Sequence, residues 1–142
     1  MTKIETSKFK RLIGVWKTTG QITSGNETLK LEGTDTYEFI LDGHYILHKA
    51  DVTMGSEKSE TFEIISLDNS DNKAQMKYFN SKSESGTMTS QINDNDFLIN
   101  GEGIKFEGTI NNENTEVVGK WFLQADDKSW EEFISLKLEK QN

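Results

Sequence analysis

With 142 residues, 33% hydrophobic and 28% charged, the chain has the length of one ordinary domain and apolar residues enough only for a thin, strictly patterned core. Its 24 acidic against 16 basic residues leave a net charge of -8, a surface that repels phosphate backbones and anionic lipid and argues against nucleic-acid and membrane partners. The absence of cysteine excludes disulfides, thiol catalysis and cysteine metal sites. No uninterrupted apolar run, glycine aside, exceeds three residues, so no membrane-spanning segment is expected. No apolar stretch follows Lys3, so Met1 to Thr6 do not read as a signal peptide and a cytoplasmic location is the default. Proline is missing altogether, which leaves turns to Gly, Asn, Asp and Ser, residues that accept left-handed backbone or hydrogen-bond to it locally.

In chain order, residues 7–12 can form a short helix, with Ser7 as N-cap and Phe9, Leu12 and Ile13 on one side. Such a turn would plug one end of a barrel. Ten candidate strands follow. The first, 14–23, opens on Gly14-Val15-Trp16 and stops at Ser24-Gly25-Asn26. The second, 28–41, has a period-2 face of Leu29, Leu31, Gly33, Asp35, Tyr37, Phe39 and Leu41. Asp42-Gly43 is a tight-turn pair. The third strand, 44–54, places Ile46, Ala50, Val52 and Met54 on the face of His44 and His48, and the fourth is 57–67. Asp68-Asn69-Ser70-Asp71-Asn72 is the clearest loop. The remaining strands are 73–80, 86–92, 96–100, 104–110, 115–124 and 129–140.

Strands recurring about every 14 residues with short loops and almost no helix mean an antiparallel meander, not parallel crossovers. A long meander with one apolar face can bury it by closing on itself, which also removes exposed edges. The expected fold is therefore all-β, a single antiparallel up-and-down barrel of about ten strands with a short N-terminal helical turn. A two-sheet sandwich is the main rival. Gly20, Gly33, Gly108 and Gly119 lie inside strands, where glycine marks sharp bends.

Gly14-x-Trp16 after a short helical turn resembles the opening of calycin barrels: lipocalins, fatty-acid-binding proteins and avidin-type proteins. The longer pattern is similar to a bacterial family of uncharacterised lipocalin-like domains. It comprises Tyr37-Glu38-Phe39-Ile40-Leu41-Asp42-Gly43-His44-Tyr45-Ile46-Leu47, a strand with Trp121, and a last strand opening Ser129-Trp130-Glu131-Glu132. The resemblance implies one calycin-like domain over residues 1–142 with an interior pocket and no established activity. Secreted lipocalins resemble one another in a late basic residue, usually Arg, over the first Trp. Here the only Arg is Arg11, and the last strand offers Lys137 and Lys140. Haem-binding barrels of related shape use a His in a late strand. Both histidines here fall in the third, so no haem ligand carries over, and no cofactor is expected.

The side chains with chemistry are few. His44 and His48 on one strand face lie about 13 Å apart at ~3.3 Å per residue, too far to chelate one metal ion, and no metal site is expected. His44 reads as a solvated turn residue. His48 shares parity with Ile46, Ala50 and Val52, and reads either as a structural, hydrogen-bonded histidine or as a ligand contact. Asp35 and Tyr37 share parity with Leu31 and Phe39. An inward Asp must find a partner or change its protonation, and an inward phenol orients a mostly apolar ligand. Tyr78 and Asn80 continue the Ala74 and Met76 face. Glu132, on a face with Ile134 and Leu136, is a third candidate buried acid, subject to a one-residue slip that would turn it over. Trp16 reads as packing. Met54, Met76 and Met88 read as core or as an adaptable lining. The acidic loops lack calcium-loop spacing, and no phosphate loop or nucleophilic serine motif occurs.

These residues give three functional expectations. The first is a binder of a small, largely apolar ligand inside the barrel, with Asp35, Tyr37, His48, Tyr78 and Glu132 as polar contacts. The second is an isomerase- or hydratase-like enzyme using inward carboxylates. The third is a protein-interaction module using outward Val15, Val118 and Phe122. Oligomeric state is not readable from the sequence.

Overall fold

The computed structural model describes residues 2–142. Ten antiparallel strands close into one barrel: β1 (Gly14–Ser24), β2 (Glu27–Ile40), β3 (Tyr45–Met54), β4 (Glu57–Leu67), β5 (Lys73–Asn80), β6 (Ser85–Asn93), β7 (Asp96–Gly101), β8 (Ile104–Ile110), β9 (Glu116–Gln124) and β10 (Trp130–Lys140). Each strand pairs with its sequence neighbours. β1 also pairs with β10, from Trp16 opposite Lys140 to Ile22 opposite Ile134, so the ring has no open edge. The strand ends fall within one residue of those the sequence pattern predicts, and the sandwich alternative is excluded.

Closing so many short strands bends the sheet hard, and glycine sits where neighbouring strands come closest. A β carbon added at Gly20, Gly33, Gly108 or Gly119 would lie 2.3, 2.2, 2.9 or 2.8 Å, respectively, from a carbonyl oxygen of the adjacent strand. No side chain fits at those four positions without moving the backbone.

The expected helix at residues 7–12 is a 3-10 turn, Lys8–Leu12, preceded by a second one, Ile4–Thr6, that the apolar spacing does not indicate. Ser7 joins them. Its hydroxyl donates to the Ile4 carbonyl (2.6 Å) and accepts from the Phe9 N–H (3.1 Å). Ile4, Phe9 and Leu12 are completely or almost completely buried, against Trp16, Ile46, Ile65, Met76, Ile92, Ile110 and Val117. Each side chain buried in this way contributes about 1.5–3 kcal/mol. The Trp16 indole N–H donates to the Leu12 carbonyl (2.8 Å), which ties the plug to β1. Above the same ring sits the Lys140 ammonium, 4.8 Å from its centroid.

The plug is also fastened to the rim. The Glu5 N–H donates to Gly43 O (3.2 Å) in the β2–β3 loop, and the Lys8 N–H to Asp71 O (2.9 Å) in the β4–β5 loop. The Arg11 guanidinium reaches the other two loops at this end. It donates to Asp94 O (2.5 Å) and Asn95 Oδ1 (2.8 Å) between β6 and β7, and to Asn111 O (3.2 Å) and Asn114 Oδ1 (2.6 Å) between β8 and β9. Gly43 closes this loop with a φ of +76°, a left-handed conformation that favours glycine.

At the opposite end the packing is looser. Ile22, Leu31, Val52 and Ile134 form a smaller buried cluster, ringed by half-buried Leu29, Met54, Trp121, Phe133 and Leu136. The barrel is thus shaped as a cup, sealed at the plug, with some of its inward side chains only partly buried at the other mouth.

Candidate functional site

Between the two apolar clusters lies a polar layer. The alternation of β1 turns Thr18 inward between Trp16 and Ile22. β2 turns in Asp35 and Tyr37, β3 His48, and β4 Glu63. Strand register then makes neighbours of them. Tyr37 is directly opposite His48, His48 opposite Glu63, Glu63 opposite Tyr78, and Tyr78 opposite Gly86. Directly opposed β carbons stand about 4.5–5.5 Å apart, so these side chains are obliged to meet.

His48 is the hub. Its Nε2 lies 2.6 Å from Asp35 Oδ1 and its Nδ1 2.9 Å from Glu63 Oε1. With a carboxylate at each nitrogen, the ring donates from both and carries both protons. Burial opposes that charge. The hydrogen bonds to Asp35 and Glu63 and their negative charges outweigh it, raising the His48 pKa from 6.5 to about 9. The Thr18 hydroxyl donates to the other Asp35 oxygen. Tyr37 stacks face to face on the imidazolium, with centroids 4.0 Å apart and planes 7° from parallel. Burial, with the charges of Asp35 and Glu63, pushes the Tyr37 phenol well above its usual 10. Two carboxylates against one imidazolium leave the layer one unit negative.

Tyr78 completes the row. It is half-buried and lies over Gly86, where a β carbon would come 2.9 Å from its hydroxyl oxygen. Across the barrel the wall is apolar. Phe106 meets Trp121 at 5.2 Å and Phe97 edge-on at 5.6 Å, with Met88 and Leu136 beside them.

Four of the five residues singled out from the sequence therefore come together: Asp35, Tyr37, His48 and Tyr78. Asp35 finds the partners an inward Asp requires in His48 and Thr18. Glu132 does not join them. It is exposed, 3.3 Å from Lys120 on the outer surface. The cause is a bulge. Glu132 pairs with outward Phe122, yet Ile134 pairs with inward Trp121, so Phe133 is one residue too many for the ladder. Glu132 and Ile134 thus lie on opposite faces, against the expectation of a shared one. Asn80 spends its side chain on the β5–β6 turn, accepting from the Lys82 and Glu84 N–H groups. His44 lies in the turn before β3.

Sequence reasoning misses Glu63 and Thr18. Glu63 shares parity with Ile65 and Leu67, a usable signal, but outward Phe62, 53% exposed, and neighbouring Ile64 blur the alternation. Thr18 carries no signal beyond its place between Trp16 and Ile22, since threonine suits either face of a strand.

Among the described residues no set of His, Asp and Glu has metal-holding geometry. Two clefts open outside the barrel. One, of about 440 Å3, is lined by Lys49, Asp51, Glu60, Phe62 and Phe79, and the other by Val15, Lys17, Glu32 and Gln141. No helix among the described residues is long and apolar enough to cross a membrane.

Comparison with known proteins gives a fold relative and a family. The crystal structure of Rv2717c from M. tuberculosis superposes with a TM-score of 0.72 at 8% identity, covering 100% of this chain and 99% of that one. At that identity the likeness is one of fold alone. A search of curated protein sequences finds no match. A family model described as "Protein of unknown function (DUF1579)" matches residues 3–140, nearly the whole barrel and its plug, and the chain belongs to that family.

Proposed function

We propose that this barrel binds a small, largely apolar molecule in its open cup, with Tyr37, His48, Asp35 and Tyr78 as the polar side of the site. The observation that carries the reading is the polar layer itself. It lies deep in a barrel plugged at one end, faces an aromatic wall, and two of its members, His48 and Tyr78, are only partly buried. Binding sites pair broad apolar lining with a few placed polar groups, and this interior has that composition. A fold that needed only stability would gain as much from apolar side chains at these positions. The calycin reading agrees with Lys140 over Trp16, where a lysine stands in the role of the late basic residue.

Native mass spectrometry of the purified protein tests the proposal. A small organic mass that leaves on denaturation is the expected result, together with fluorescence of a hydrophobic dye that the extracted protein takes up. A bare chain that takes up no dye would overturn it.

Catalysis by the same carboxylates is the second reading, motivated by Asp35, His48 and Glu63 in one hydrogen-bonded chain. The charged state of His48 weighs against it as a base at neutral pH, because both nitrogens already hold protons. The outward residues suggested for a protein contact support little: Val15 and Val118 are exposed but belong to β1 and β9, with β10 between them, and Phe122 is half-buried beneath Lys105.

A further inference from the structure

We infer that the molecule held in the cup carries an amine head, received by Glu63 with the Tyr37 hydroxyl beside it, and that a carboxylate head is rejected. This rests on ligand binding in the barrel and adds the chemical class.

Donors and acceptors in the polar layer do not balance. Every N–H and the threonine O–H of the layer are already committed. Thr18 donates to Asp35, and His48 donates to Asp35 and to Glu63. No lysine or arginine among the described residues reaches the layer. Arg11 is committed to the β6–β7 and β8–β9 loops at the plug, and Lys140 lies over Trp16 at the sealed end. What remains is one acceptor, the second Glu63 oxygen, and phenol hydroxyls that can donate or accept. The second carboxylate oxygen of Glu63, a residue 5% exposed, takes no hydrogen bond from the described residues. The hydroxyl of Tyr37, a residue 7% exposed, makes none with them either. Neither atom is sealed off, for among the described residues Ser90 Oγ alone is a fully enclosed side-chain polar atom lacking a partner. Both atoms therefore keep some accessible surface inside the barrel and no partner among the described residues.

Charge points the same way. An arriving carboxylate meets a layer that is one unit negative and offers it no donor but phenols. Like charges brought together out of water repel strongly, whereas an ammonium group supplies the donor that the second Glu63 oxygen lacks, and the Tyr37 oxygen can accept from it. The body of the molecule would then lie against Phe106, Trp121 and Met88.

A matched series decides this: phenylpropylamine, phenylpropanol and phenylpropanoate, titrated into the isotope-labelled protein at neutral pH and followed by NMR. The amine should bind at least about tenfold more tightly than the acid, with the alcohol between them and the shifts centred on Tyr37, His48 and Glu63. Glu63→Gln should narrow the amine-to-acid ratio several-fold and leave the alcohol bound. Equal affinities, or a preference for the acid, would overturn the amine assignment while ligand binding stood. Absence of binding by all three, or shifts confined to the outer face of β3 to β5, would remove both. Should Glu63→Gln fail to fold, the order of the three probes on the unaltered protein still decides between amine and acid.

Discussion

At mid-height, β1 to β5 turn Thr18, Asp35, Tyr37, His48, Glu63 and Tyr78 inward, whereas β6 to β10 turn in Met88, Ile99, Phe106, Trp121 and Leu136. The two walls hold by different physics. Burial of the apolar wall is non-directional, and its stabilisation follows the area removed from water. The polar wall depends on mutual satisfaction. Asp35, His48 and Glu63 are each costly to desolvate and are tolerated because each answers another. Such a cluster adds little net stability over apolar residues of like size, yet losing one member is expensive. The contrast separates a wall held by burial from one held by mutual satisfaction.

The sharpest way to break the comparison is to remove the hub. His48→Leu leaves two buried carboxylates facing each other and should cost about 3–5 kcal/mol in urea unfolding at neutral pH. Phe106→Ala should cost about as much, through a cavity. The two losses differ in repair. Changing Asp35, His48 and Glu63 together to leucine should recover most of the polar loss, because no charge is then stranded. A triple variant as weak as His48→Leu would show that the polar wall holds the barrel after all.

A smaller effect separates the walls by pH. The His48 pKa is raised in the folded state, from 6.5 to about 9, so the folded protein binds the proton more tightly than the unfolded chain. Its contribution is complete below pH 6.5, declines as pH rises, and is gone above about 9. The loss should reach up to about 3 kcal/mol, read as a falling urea midpoint, and the triple leucine variant should lack that slope. The smallest effect is expected at the acid the bulge turns outward. Glu132→Gln breaks only an exposed pair with Lys120 and should change stability by no more than about 0.5 kcal/mol.

How far the sequence can be read follows from these same residues. Turn chemistry and period-2 faces mark every strand to within a residue, because Gly, Asn, Asp and Ser clusters are local signals. Asp35, Tyr37 and His48 are legible as inward for the same reason. Their convergence is not, since it depends on register across β2, β3 and β4, and that is set between strands, not within one. Glu63 hides beside an exposed aromatic, Phe62, that looks like a core residue. Glu132 is misplaced by an extra residue at Phe133 that leaves no compositional mark.

The fastening of the plug has a consequence for the order of assembly. Arg11 contacts Asn114, more than a hundred positions away, and Lys8 contacts Asp71. The seam between β1 and β10 joins equally remote stretches. Contacts so distant along a chain are slow to form, because the intervening segment must first be ordered. The segment from Ile4 to Leu12 precedes every strand, yet its fastenings run to loops as far along as the one between β8 and β9. The stopper is therefore expected to find its full seat only once most of the ring has formed.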